Sequence, residues 1–207
     1  MRSPVFKRLF DLVVAIPAFV LTLPLQAVIA TLVASKLGRP VLFRQERPGL
    51  HGKSFELIKF RTMLPVDPDR GQVDDESRMT PLGAKLRATS LDELPTLINI
   101  IRGDMSLVGP RPLLVRYLNR YTPEQARRHE VRPGLTGLAQ ISGRNAIAWN
   151  DKLALDVEYV DRRTLMLDVR ILVATARQVV RQDGITAPGH VTTTEFMGTA
   201  VGQESGP

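Results

Sequence analysis

The sequence predicts an α+β protein, mostly helical with a short β-hairpin, an N-terminal re-entrant membrane helix-break-helix and interfacial amphipathic helices. Three observations carry this. Leu12 to Ser35 contains no charged residue but is interrupted by Pro17 and Pro24. Two short stretches of strand-forming residues flank the turn Gly49-Leu50-His51-Gly52-Lys53. Apolar residues then recur at helical spacing from Asp151 to Arg181, at Leu153, Val157, Val160, Leu165, Leu172, Ala176 and Val179. The elements divide the 207 residues into a membrane segment over 1-39, a main folded unit over 40-181 and a loosely structured tail over 182-207.

The first segment is long enough to cross the hydrocarbon core as a helix. It is too long for the apolar region of a signal peptide, and no convincing cleavage pattern follows it. Pro24 lies near its middle, where a helix kinks or breaks. Arg2, Lys7 and Arg8 precede it, and Lys36, Arg39, Arg44 and Arg47 follow. Positive charge on both flanks places both ends on the cytoplasmic side, which a single crossing does not satisfy. The reading is re-entry with the break at Pro24; a kinked span is the alternative.

The second element is the hairpin, with strands at Pro40 to Gln45 and Ser54 to Arg61. Alternation along Lys59-Phe60-Arg61-Thr62-Met63 puts Lys59 and Arg61 on one face, either a solvated surface or a contact for phosphate. Pro65 to Arg78 reads as an exposed loop, followed by a short helix from Leu82 to Thr89. Another helix runs from Leu94 to Ile101 and ends at Gly103. Ser106 to Pro112 is a loop whose prolines hold Arg111 extended. Arg132 to Asn145 carries three glycines, without Walker or Rossmann spacing. The helices over 151-181 pack on the core, or lie partly in the membrane interface.

Ser90-Leu91-Asp92-Glu93-Leu94-Pro95 is the stretch around which the rest is arranged. Ser90-x-x-Glu93 has the pattern of a capping box, so both acids lie at a helix start. Such a position stabilises negative charge and is expected to keep Asp92 ionised. Arg87 and Arg111 flank the pair. The chain has 28 Lys and Arg against 21 Asp and Glu, a formal charge of +7, which favours polyanionic partners. It has no cysteine, which excludes disulfides and thiolate chemistry. With one Trp and three Tyr there is little for base stacking, and nucleic acid is not an expected partner.

Taken in order, Lys7 to Asp11, the proline-broken apolar segment, Phe43 to Arg47, Lys59 to Met63, Ser90 to Pro95, Gly103 to Pro112 and Arg132 to Asn145 closely resemble the monotopic phosphoglycosyl transferases, the bacterial sugar transferase family. The likeness runs from about Lys7 to Arg181, and the start at Met1 resembles the small form comprising only the catalytic unit. It implies transfer of a sugar phosphate from a UDP-sugar to polyprenol (undecaprenyl) phosphate, with release of UMP, at the cytoplasmic face of the bacterial inner membrane. It implies that Asp92 is the nucleophile and Glu93 its partner, which either accepts a proton from the acceptor or helps to hold a metal. Mg²⁺ is the expected cofactor, with Asp92 as its ligand, and Lys59, Arg61, Arg87, Arg111 and Arg144 are the expected phosphate or nucleotide contacts. The family commonly has Ser-Pro at the membrane break; this chain has Leu23-Pro24, with Thr22 one residue earlier. The competing classes are a membrane-anchored basic module that binds lipid or nucleic acid, and an aspartyl-phosphate phosphohydrolase. Neither the sugar nor the oligomeric state is legible.

Overall fold

The computed structural model describes residues 4–143, 147–181 and 195–198. The apolar segment forms α1, Pro4–Leu37, with Pro17 and Pro24 inside it. One face of α1 is buried at Asp11, Ala15, Gln26, Ile29, Val33 and Leu37. Much of the remainder, including Phe6, Leu9, Val13, Leu21, Leu25 and Leu32, is exposed apolar surface. A helix this long and apolar, bare along its length, matches a membrane environment better than water.

The break expected at Pro24 is corrected to a continuous helix. The reason lies in local polar groups. Proline removes one donor from the ladder, but the Thr22 hydroxyl donates back to the Ala18 carbonyl at 2.7 Å and accepts from Gln26 Nε2 at 3.0 Å. Back-bonding of this kind bends a helix without ending it. Thr22 thus supplies a hydroxyl one residue before the place where the family has serine.

Both ends of α1 are fastened to the same body of protein. Near its start, Asp11 accepts from Lys7 Nζ and Ser106 Oγ, both at 2.8 Å, and from the Leu107 amide at 3.2 Å. Lys7 also meets Asp168 at 3.0 Å, and Arg8 donates to the Ile101 carbonyl at 2.8 Å. At the other end, Ile29, Val33 and Leu37 pack with Phe60 and Leu86. Gly38, at φ +79°, turns the chain out of the helix.

The hairpin pairs β1, Leu42–Pro48, with β2, Ser54–Phe60, in antiparallel register from Leu42 opposite Phe60 to Pro48 opposite Ser54. Beyond it come the short α2, Asp75–Arg78, then α3, Pro81–Ala88, whose start is capped by Thr80 accepting from the Gly83 amide. A 3-10 turn over Leu91–Thr96 runs into α4, Leu97–Arg102. Asn99 on α4 is fully buried and joins three segments: it accepts from the Ile58 amide at 3.0 Å and donates to the Glu56 carbonyl at 2.7 Å and to Asp104 at 3.2 Å.

Two short strands absent from the sequence reading follow. The strand β3, Ser106–Val108, lies before the small α5, Pro123–Ala126, and pairs in parallel with β4, Gly134–Thr136. Each has three residues, too few to display alternation. Gly134 is required for the approach, because a Cβ there would lie 2.1 Å from the Gly109 amide nitrogen. After α6, Leu138–Ile141, the helices α7, Trp149–Arg162, and α8, Leu165–Arg181, close the core with Tyr159 and Ile171. Met166, Val169 and Val173 on α8 are exposed, as expected of an interfacial helix.

The tail reading needs one correction, within residues 195–198. Phe196 is 2% exposed and packs against Tyr117, Tyr121 and Trp149, while Glu195 accepts from Arg120 at 2.8 Å. Burial of an aromatic side chain overcomes the polarity of its neighbours. The rest of 182-207 lies outside the described residues.

Asn99 gives this scaffold a direct test. Asn99→Ala leaves the Ile58 amide and the Glu56 carbonyl without these partners, and should lower unfolding stability by about 2–4 kcal/mol. Chemical denaturation in nanodiscs measures it; a change below about 1 kcal/mol would contradict the role given to Asn99.

Candidate active site

The two acids lie on the 3-10 turn over Leu91–Thr96, not at the start of an α-helix. The expected capping box is absent. Ser90 takes φ 56° and ψ 16°, its side chain makes no cap, and the turn closes instead through the Glu93 amide on the Ser90 carbonyl at 3.2 Å. A left-handed non-glycine residue at such a place is uncommon and concentrates where geometry matters. The far end of the turn is tied to the hairpin by Thr96 Oγ1 donating to the Ile58 carbonyl at 2.8 Å.

That tie brings β2 alongside the acids. Lys59, next along the strand, sits over the ring of its cross-strand partner Phe43 at 5.6 Å, and its charge acts on Asp92 and Glu93. Arg87, on the last turn of α3, is oriented by Nε donating to Thr62 Oγ1 at 3.0 Å and lies in the same field. Arg111 comes from the loop after β3 and donates through Nη2 to Glu93 Oε1 at 2.6 Å. Its loop is held by the Gly109 amide on the Thr136 carbonyl and the Gly134 amide on the Pro110 carbonyl, both at 2.9 Å. Three segments, β2, the end of α3 and the loop after β3, therefore converge on one pair of carboxylates.

The pair is electrostatically unequal. Asp92 is 4% exposed, and its carboxylate accepts no hydrogen bond among the described residues. Burial, then the neighbouring Glu93 charge, pushes Asp92 up to about 6 despite Lys59, Arg87 and Arg111. Burial works on Glu93 in the same direction, but the charge and hydrogen bond of Arg111, followed by Lys59 and Arg87, hold it below the usual carboxylate range. The helix-start argument for Asp92 is thus corrected: desolvation prevails over any dipole. Burial also lowers Lys59 and Arg87, with Asp92 opposing it in both.

Of the residues expected at the site, Asp92, Glu93, Lys59, Arg87 and Arg111 come together. Arg61 does not. The β2 strand ends at Phe60, alternation stops there, and the Arg61 guanidinium turns to the carbonyls of Leu37 and Gly38 at the end of α1. It serves as a helix cap. Arg144 lies outside the described residues.

Arg47 on β1 was quoted in the sequence without a role. Burial, then Arg111, lowers it to about 10, which places it in the same cationic group. Its signal in the sequence, one arginine among several in Phe43 to Arg47, did not separate it from Arg44, which pairs with exposed Glu56. Chemically, the site presents one desolvated carboxylate without a hydrogen-bonding partner among the described residues, inside a ring of cations suited to phosphate oxygens.

Residues 2–182 match the model of the family described as bacterial sugar transferase. The chain is 51% identical over 196 residues to the uncharacterized sugar transferase EpsL of Bacillus subtilis, covering 94% of this chain and 97% of that protein. It is 39% identical to a UDP-glucose:undecaprenyl-phosphate glucose-1-phosphate transferase of Caulobacter vibrioides, covering 86% of this chain and 70% of that protein. It is 37% identical to an undecaprenyl-phosphate galactose phosphotransferase of Salmonella typhimurium, covering 88% of this chain but 42% of that longer protein. The ordered site and the match along nearly the whole catalytic unit lead to one assignment: the chain belongs to the bacterial sugar transferase family.

Proposed function

We propose that the chain transfers a sugar 1-phosphate from a UDP-sugar to undecaprenyl phosphate through a covalent aspartyl phosphosugar on Asp92. The observation that carries this is the inequality of the two acids: Arg111 occupies Glu93 and leaves buried Asp92 among cations, with no hydrogen bond from the described residues. The names of the Caulobacter and Salmonella relatives support the substrate classes.

In the first step an Asp92 oxygen attacks the phosphorus that bears the sugar. The bond from that phosphorus to the bridging oxygen breaks, and UMP leaves with the electron pair. In the second step an oxygen of the lipid phosphate attacks the same phosphorus, Asp92 departs as carboxylate, and the diphosphate-linked sugar forms. Lys59, Arg87 and Arg111 offset the repulsion between the carboxylate and the diphosphate. Glu93, held ionised, serves best as the anchor of Arg111, since a carboxylate lowered in this way is a poor proton acceptor.

The described residues contain no group of three or more His, Cys, Asp or Glu able to cage a metal. Mg²⁺ commonly takes one or two carboxylates and completes its shell with water and substrate phosphate, so Asp92 is a fitting ligand. Such an ion would supply further neutralisation of the diphosphate.

The membrane setting follows from α1. Its two ends dock on one body of protein and its flanks are positive, which supports a helix embedded from one face, with both ends on the cytoplasmic side of the inner membrane. An open groove of about 600 Å³, lined by Pro40, Val41, Leu42, Phe43, Arg44 and Arg61, begins where α1 ends and reaches the Phe43 ring under Lys59. It offers the lipid an apolar approach to the cations.

Repeated UMP release from a UDP-sugar should require undecaprenyl phosphate, with only about one equivalent released per enzyme without it. Continuous release of free sugar phosphate without the lipid would establish hydrolysis instead. Asp92 lies above its ordinary value, so the rate should rise with pH as the carboxylate ionises near 6 rather than near 4. A raised carboxylate also favours the native state when protonated and costs stability as pH rises through its folded value. Asp92→Asn should therefore raise Tm at pH 8, by removing a cost on the order of 2–3 kcal/mol, with a smaller gain at pH 5. A lower Tm at pH 8 would contradict the desolvation of Asp92.

A further inference from the structure

We infer that Arg128, held by Asp156, is a positioning residue that sets the reach of Arg111 toward Glu93. The inference rests on the transferase reading and adds a residue to that site. Arg128 lies in a 3-10 turn over Arg127–Glu130, and Asp156 lies on α7. Their side chains are 1% and 5% exposed, and Arg128 donates to Asp156 Oδ2 through Nε at 3.0 Å and Nη2 at 2.7 Å. The same Nη2 donates to the main-chain carbonyl of Arg111 at 2.7 Å.

An ion pair this buried is weak evidence for stability, because desolvation consumes most of the Coulombic gain. Its third bond is what distinguishes it. Arg111 stands between Pro110 and Pro112, which have no backbone N–H. The loop therefore offers carbonyls and needs donors from outside. The Gly134 amide takes Pro110, and Arg128 takes Arg111. The ring of Tyr121, 5.7 Å from the Arg128 guanidinium, limits its freedom on another side. A second tether from α7, Tyr159 Oη to the Val108 carbonyl at 3.0 Å, holds the strand that leads into the loop.

The Arg111 side chain is about half exposed, at 49%, so the direction of its guanidinium depends on where its backbone is held. Lysine in place of Arg128 keeps the charge but lacks the planar fork that meets a carboxylate and a carbonyl together.

The test compares UMP release by Arg128→Lys and by Asp156→Asn in the native chain and in an Arg111→Lys chain, all in nanodiscs with a UDP-sugar and undecaprenyl phosphate. Thermal melting of each variant corrects the rates for the folded fraction. If Arg128 acts through Arg111, either substitution should lower kcat roughly 10- to 100-fold in the native chain and less than about threefold further in Arg111→Lys. Should Arg128→Lys not accumulate as folded protein, the Asp156→Asn comparison decides. Equal factors in both backgrounds, or losses accounted for by the folded fraction, would overturn the positioning role. Absence of UMP release by the native chain would overturn it together with the transferase reading.

Discussion

Two carboxylates adjacent in sequence, one buried and the other partly so, repel, and at neutral pH something must decide which of them bears the cost. In this protein Arg111 decides. Its hydrogen bond to Glu93 stabilises that anion directly, and Asp92 is left with long-range attraction from Lys59, Arg87 and Arg111. The outcome is one carboxylate committed to a partner and one that is desolvated and unbonded. The second has the attributes of a nucleophile: little solvation to shed, and surrounding positive charge where a phosphate would bring negative charge. Remove Arg111, and no other cation is bonded to either acid among the described residues.

Most of the scaffold can be understood as holding those cations in place. Thr96 and Asn99 fasten the acid-bearing turn and α4 to β2, which brings up Lys59. Thr62 orients Arg87. The β3 and β4 pair holds the Arg111 loop from below. The membrane helix is built into the same framework, since Asp11 accepts from Ser106 and Leu107 on β3, the strand that leads into the loop that carries Arg111. Membrane attachment and site geometry thus share a strand, and an apolar helix exposed on its outer face is rooted in the catalytic core by a buried carboxylate.

Much of this was legible before the structure. An uncharged apolar run found α1, strand-forming stretches about a turn found the hairpin, and helical periodicity found α7 and α8, because these elements are long enough to leave a local signal. The ordered motifs brought Asp92, Glu93, Lys59, Arg87 and Arg111 to one place. The failures have physical causes. Ser90 and Glu93 satisfy the capping-box pattern, yet a left-handed Ser90 converts the same residues into a 3-10 turn, and pattern alone does not report φ. Arg61 shares strand parity with Lys59 only until β2 ends, one residue too soon. Pro24 predicted a break, but the helix runs through it, with Thr22 and Gln26 bonded to each other across the proline. The β3 and β4 pair and the Arg128 contact depend on neighbours far away in sequence, which leave no local signal. Phe196 was hidden in a stretch without hydrophobic periodicity, and its partners Tyr117, Tyr121 and Trp149 lie far away in sequence.

The central claim is that Asp92, and not Glu93, forms the bond to phosphorus. Intact-protein and peptide mass spectrometry after rapid quenching of the enzyme with a UDP-sugar, in the absence of lipid phosphate, tests it most directly. The account predicts a mass increase of one sugar phosphate on the peptide containing Asp92, localised to Asp92 by fragmentation and absent in Asp92→Asn. An adduct on Glu93, or a quenched enzyme that has released UMP and carries no adduct, would contradict it.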